Sequence, residues 1–202
     1  MNTITFGART LTPSKVVCIG RNYVEHIEEL GNEVPENMVI FNKPNSAISP
    51  ELAYFGEHCR FEGEICLLIE NGSVSGVGFG LDLTYADLQN HLKTKGLPWE
   101  RAKSFDGAAV LSAFVPIDGD LSRIAFEMRI NGERVQHATY DLMMYKPTDM
   151  IAEIERFMTL EDGDVIMTGT PKGVGYYAPG DRFEAVVTCG EKVLLETEWT
   201  AQ

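Results

Sequence analysis

The sequence has no CxxC pair, and none of its four cysteines (Cys18, Cys59, Cys66 and Cys189) stands at a zinc-finger spacing from a histidine. A thiolate metal cluster is thereby excluded, and reduced, mostly buried thiols in a reducing compartment are expected. The opening MNTITFGARTL lacks a basic segment followed by an apolar core and is not read as a secretory signal. No apolar run approaches the roughly 20 residues that a membrane helix needs. Positive charge is scarce: 17 Lys and Arg face 30 Asp and Glu, a net −13 at pH 7. Such a surface repels nucleic acid and anionic membranes, so neither is expected as a partner, and the protein is read as cytoplasmic. Nucleotide loops are missing too. In SGVGFGLD, Leu81 stands where GxGxxG needs its third glycine, and GTPKGVG does not match GxxxxGK[ST]. Neither GxSxG nor HExxH occurs.

What is present points to one folded domain over residues 1–202, with 44% apolar and 23% charged residues, ordinary values for a chain with a real core. Asn71-Gly72 and Asn131-Gly132 sit between strand-like runs and mark hairpins, because a type I′ turn needs positive φ at both central residues. Cys189-Gly190 suggests a third hairpin. Short strands are read at Lys15–Ile19, Val39–Asn42, Val77–Asp82 and Asp164–Thr168. Thr84 with Asp87 is expected to cap a helix over ADLQNHLKTKG that ends at Gly96. Ile151, Ile154 and Met158 recur at helical spacing, and YVEHIEELG closes on Gly31. The expected fold is α+β and β-rich, closed as a sandwich or distorted barrel with few short helices.

The stretch FEGEI carries the chemistry. Glu62 and Glu64 alternate, so in a strand they share one side, and Phe61, Gly63 and Ile65 the other. Two anions side by side repel unless something positive lies between them. A solvated strand edge answers this; so does a divalent metal. Asp82 ends the apolar run VGFGLD, at a strand end where functional groups are commonly presented. Three carboxylates from neighbouring strands suit a hard ion that keeps several waters, Mg²⁺ or Mn²⁺ rather than zinc.

His26 and Glu29 stand three apart, so on a helix the carboxylate can orient the imidazole and raise its basicity, as in a general base. A solvated amphipathic turn among Glu25, Glu28 and Glu29 accounts for the same pattern. His58, His91 and His137 are read as surface or packing residues. Arg21 in CIGRNY, Lys43 in FNKP and Lys103 in AKSFD are each ordinary surface cations taken singly. Together they can supply local positive charge for an anionic substrate.

In this order, GRNYVEHIEELGN, FNKP, FEGEICLLI, GFGLDLTYADLQ, GLPWERAKSFD and TLEDGDVIMTGTPKGVG resemble the fumarylacetoacetate hydrolase superfamily, and most of all its short single-domain acylpyruvase and oxaloacetate decarboxylase branch. The resemblance implies a mixed β-roll or sandwich, a homodimer, and a site gripping a small anionic 2-oxo acid through Mg²⁺ or Mn²⁺. It assigns Glu62, Glu64 and Asp82 as metal ligands. It makes His26 and Glu29 a catalytic pair on a short lid, and Lys103 the site lysine. It places Arg21, Lys43, Gln89 and Thr170 near the substrate, with the TGTP loop (Thr168 to Pro171) binding its carboxylate. The implied activity is hydrolysis of a C–C bond in acylpyruvates, with oxaloacetate decarboxylation possible at the same site. An isomerase or tautomerase of a 2-oxo or 2-hydroxy-dienoic acid is the near alternative, and a non-enzymatic binding domain the distant one. One departure stands out. The resemblance implies that close relatives often carry an arginine in a DxTARDxQ stretch, and here Ala86 stands in its place. A lost cation weakens the hold on a second substrate carboxylate, which favours simple acylpyruvates over dicarboxylates.

Overall fold

Turn chemistry sets much of the strand pairing. The computed structural model describes residues 1–29, 31, 35–117 and 120–202. The chain opens with the hairpin β1 (Ile4–Phe6) and β2 (Arg9–Leu11), then β3 (Lys15–Gly20), helix α1 (Val24–Glu29) and β4 (Val39–Pro44). Next come β5 (Ile48–Ser49), β6 (Cys59–Phe61), β7 (Gly63–Glu70), β8 (Ser73–Asp82) and β9 (Thr84–Tyr85). Helices α2 (Ala86–Lys95) and α3 (Glu100–Lys103) lead into β10 (Ala109–Leu111) and β11 (Val115–Pro116). The last part holds β12 (Ile124–Ile130), β13 (Glu133–Thr139), α4 (Pro147–Ile154), β14 (Val165–Met167), β15 (Gly175–Tyr176), β16 (Arg182–Cys189) and β17 (Lys192–Thr200).

The large mixed sheet runs β4-β3-β14-β7-β8-β10-β5, with β11 also paired to β8. A second, antiparallel sheet runs β13-β12-β16-β17, and a small one β15-β6-β9. The Asn-Gly hairpins form as expected: Asn71 and Gly72 have φ of 52° and 67°, and Asn131 and Gly132 have 53° and 84°. The third hairpin pairs Cys189 with Lys192 and turns on Gly190 (φ 60°) and Glu191, one residue later than read from sequence.

Side-chain alternation divides the large sheet into two faces. Ile65, Leu67, Ile69 and Phe79 join the main core, where Phe126, Met128, Phe183 and Trp199 of the second sheet meet them. Phe79 and Phe126 lie 5.0 Å apart across the two sheets. Cys66, Leu68, Val16, Cys18 and Met167 fill the opposite face, under Ile4 and Phe6 of the N-terminal hairpin. Cys18, Cys59 and Cys66 are free and buried, as composition suggested. The result is a β-rich α+β fold in which two sheets pack face to face.

Two local expectations are revised. Thr84 is a strand residue and does not cap α2, whose N-cap is Tyr85 without a side-chain bond. The Thr84 hydroxyl turns inward to Glu62 Oε1 at 3.3 Å, a demand that outweighs capping. Helix α4 ends at Ile154, so Met158 packs on the core from beyond the helix. Gly96 does close α2 in the left-handed region, and Gly31, with φ 61°, bonds back to Glu28 O at 3.0 Å. Leu30, in the expected YVEHIEELG segment, lies outside the described residues. No helix among the described residues is long and apolar enough to cross a membrane.

Candidate active site

The two glutamates come from the join between small and large sheets. Glu62 fills the break between β6 and β7, and Glu64 follows on β7. The ladder runs through the break, because Asp82 N–H donates to Glu62 O at 2.8 Å. That bond brings the end of β8 beside the break and sets Asp82 against both glutamates. Residues Glu62, Glu64 and Asp82 are 6%, 2% and 1% exposed, and one oxygen of each lies within 4.8 Å of the others. The strand-edge alternative is thus removed: these acids are buried and convergent.

Cations answer them from below and beside. Lys103 Nζ lies 2.9 Å from Glu62 Oε2 and 2.6 Å from Asp82 Oδ2. Arg60 Nη2 reaches Glu62 Oε1 at 2.5 Å. Lys43 Nζ approaches Asp82 Oδ1 to 2.8 Å, but outside hydrogen-bond geometry, so that oxygen remains a buried acceptor with no directional partner. The Lys43 hydrogens go instead to the carbonyls of Leu83 and Lys103.

The two glutamates, though two residues apart, sit in opposite fields. Burial would raise the Glu62 carboxyl, but Lys103, Arg60 and His26 outweigh it and hold it well below the usual range. Burial pushes the Glu64 carboxyl up, and repulsion from Asp82 and Glu62 adds to it. Gly169 N–H, 2.7 Å from Glu64 Oε2, opposes that rise only in part. Burial would lower the Lys103 amine, yet Asp82 and Glu62 hold it above its ordinary value. An all-oxygen donor set, a buried oxygen without a hydrogen bond and a glutamate destabilised by its like-charged neighbours fit a hard divalent cation. Glu62, Glu64 and Asp82 are the residues that would hold it.

The rim is built differently. His26 Nδ1 lies 3.2 Å from Glu29 Oε2 on the short helix α1. Burial lowers the imidazole against the opposing pull of Glu62 and Glu29, which favours the neutral ring. Glu29 is fixed by the Gly173 N–H, at 3.0 and 3.2 Å from its two oxygens. Gly173 has φ 96°, and a Cβ there would lie 2.0 Å from Val135 O, so only glycine fits.

The cleft above the acids opens to solvent. Its wall includes Arg21, His26, Gln89, Lys103 and Thr170 from the expected set, along with the three acids. Two expected residues stand off the wall: Glu29 behind His26, and Lys43, which is fully buried behind Asp82. The Thr170 hydroxyl donates to Gly63 O at 3.0 Å and accepts from Gln136 Nε2 at 2.8 Å, so it also ties the TGTP loop to the FEGEI stretch.

Other residues escaped sequence reasoning. Asn22, fully buried, donates to Thr168 O at 2.8 Å and accepts from Tyr145 N at 2.7 Å, which locks the turn after β3 to the TGTP loop. Arg21 in that turn has φ 56°, rare for a residue with a side chain. Arg60, Lys93 and Trp99 also line the cleft. Arg60 had a signal, since it lies two before Glu62 and so on the same strand face. Lys93 lies four after Gln89, one helical turn on.

A family model, fumarylacetoacetate hydrolase C-terminal, matches residues 15–196. The chain belongs to the fumarylacetoacetate hydrolase family. Within this family it is 38% identical over 187 residues to an oxaloacetate tautomerase of Escherichia coli, covering 83% of this chain and 85% of the relative. It is 34% identical over 198 residues to a mitochondrial oxaloacetate decarboxylase of Dictyostelium discoideum, covering 89% of each. A fumarylpyruvate hydrolase of Pseudomonas aeruginosa, solved with Mn²⁺ and pyruvate, superposes with a TM-score of 0.88 at 27% identity, covering 100% of this chain and 96% of that one. The family is one of enzymes, and its short single-domain branch is where this chain falls.

Proposed function

We propose that the protein catalyses keto–enol tautomerisation of oxaloacetate or a closely similar 2-oxo acid, assisted by Mg²⁺ or Mn²⁺. The observation that carries this reading is Lys103, buried, held charged and bridging Glu62 and Asp82 on the cleft wall. A charged amine placed there stabilises negative charge as it develops on the 2-oxo oxygen of an enolate. A bound divalent ion supplies Lewis acidity toward the substrate's 1-carboxylate and 2-oxo group. His26, oriented by Glu29, carries the proton between C3 and oxygen. Gln89 and Thr170 position the substrate carboxylate.

Hydrolysis of an acylpyruvate is the second reading, favoured by the same pair. His26 with Glu29 can take a proton from water for attack on the distal carbonyl, and cleavage again leaves an enolate beside Lys103. Both reactions, and decarboxylation, share enolate stabilisation, which agrees with the differing names of the relatives. A homodimer and a reducing cytoplasmic compartment belong to this reading, the latter supported by the buried free thiols.

The test is a side-by-side assay with Mg²⁺, Mn²⁺ or chelator. Decay of enol-oxaloacetate is followed optically, and pyruvate release is followed from oxaloacetate, acetylpyruvate and fumarylpyruvate. Metal-dependent tautomerisation faster than any pyruvate release is expected. Faster pyruvate release from an acylpyruvate selects the second reading. Turnover of none makes the protein a binding module.

A further inference from the structure

A second substrate carboxylate entering a cleft floored by Glu62, Glu64 and Asp82 needs positive charge of its own. On helix α2, Ala86, Gln89 and Lys93 stand at i, i+3 and i+7 and so share one face. Gln89 and Lys93 both line the cleft. Lys93 makes no ion pair with an acid among the described residues; its ammonium rests over the Trp99 ring, 5.2 Å from the centroid. A cation held by an aromatic face keeps its charge available. Across from the start of α2 runs β6, in which Arg60 pairs in register with Thr84, two residues before Ala86. The His58 carbonyl of that segment accepts the Ala86 N–H at 3.1 Å. Arg60 therefore enters the cleft from the strand beside the helix start, 9% exposed, and its only ion-pair partner among the described residues is Glu62.

We infer that Arg60 and Lys93 together form the seat for the second carboxylate of a dicarboxylate substrate, one cation supplied by strand β6 and the other by helix α2. The inference rests on the reading of the cleft as a 2-oxo acid site. The field there points the same way. Burial, with Arg21, Arg60 and Lys103 nearby, pushes the Lys93 amine down to about 8, the mark of surplus positive charge in a partly dry wall. An incoming carboxylate relieves that repulsion. A monocarboxylate such as pyruvate carries nothing to relieve it.

Pyruvate and oxaloacetate differ only by the second carboxylate, so their binding to Mg²⁺-loaded protein, read by rapid competition, isolates the seat. Wild type is expected to prefer oxaloacetate. Lys93→Gln and Arg60→Gln are each expected to weaken oxaloacetate about ten- to a hundredfold while moving pyruvate less than about twofold, as for loss of a hydrogen bond to a charged group. Lys93→Arg, which keeps the charge, should retain the preference. Because Arg60 also touches Glu62, Mg²⁺ affinity is titrated for each variant, and Lys93→Gln, which touches no acid, decides. Equal binding of both acids by wild type, or a preference unchanged in Lys93→Gln, overturns the seat and leaves the proposed function standing. Binding of neither acid by wild type overturns that function, and the seat with it.

Discussion

The floor and the rim of the cleft hold carboxylates by contrasting means. On the floor, Glu64 and Asp82 come from strands of the main sheet and Glu62 from the break just before β7, and all three are almost wholly buried. Lys103, Arg60 and the Gly169 N–H hold one or both oxygens of each at 2.5 to 2.9 Å. At the rim, Glu29 is about a third exposed, sits on a helix of six residues and depends on Gly173 N–H for its position. A six-residue helix is marginal on its own and is held by tertiary contacts. The difference separates duties: the floor is rigid enough to fix a cation, while the rim carries the proton-transfer pair on an element that can yield to a substrate.

Three substitutions sharpen or break this contrast. The largest effect is expected for Glu64→Ala, which removes a floor oxygen: turnover should fall by at least about a thousandfold, and bound Mn²⁺ should be lost in a metal-binding titration. Retained Mn²⁺ and activity would remove the floor from the chemistry. His26→Ala comes next, with turnover down about 10²- to 10⁴-fold and Mn²⁺ affinity unchanged. If hydrolysis is lost while tautomerisation survives, the ring serves water alone. Gly173→Ala should have the smallest effect, a drop of about 10- to 100-fold as Glu29 and His26 shift, again with metal binding intact. A fall in Mn²⁺ affinity in Gly173→Ala would mean that floor and rim are one mechanical unit.

Much of this was legible in local pattern. The Asn-Gly turns, the period-two alternation of FEGEICLLI and the glycine closing α2 are short-range signals, and the structure follows them. Thr84 misled because its sequence context resembles a helix cap, whereas a buried Glu62 oxygen nearby claims its hydroxyl. Lys43, expected near the substrate, lies behind Asp82 on β4, which pairs with β3, and carbonyls take its hydrogens. Arg60 went unweighed because its partner strand, β9, is only two residues long and leaves no periodic trace.

By itself the sequence determined which acids share a face and which turns close the hairpins, since both follow from bond geometry over a few residues. It also determined the overall charge against which any anion site must work. Only the tertiary structure decided the field around each group. Glu62 and Glu64 are chemically alike and two residues apart, but one meets Lys103 and Arg60 while the other meets mainly anions. Those neighbours arrive from strands and helices distant in the chain, and in a buried site with little water to screen them, distance sets the energy.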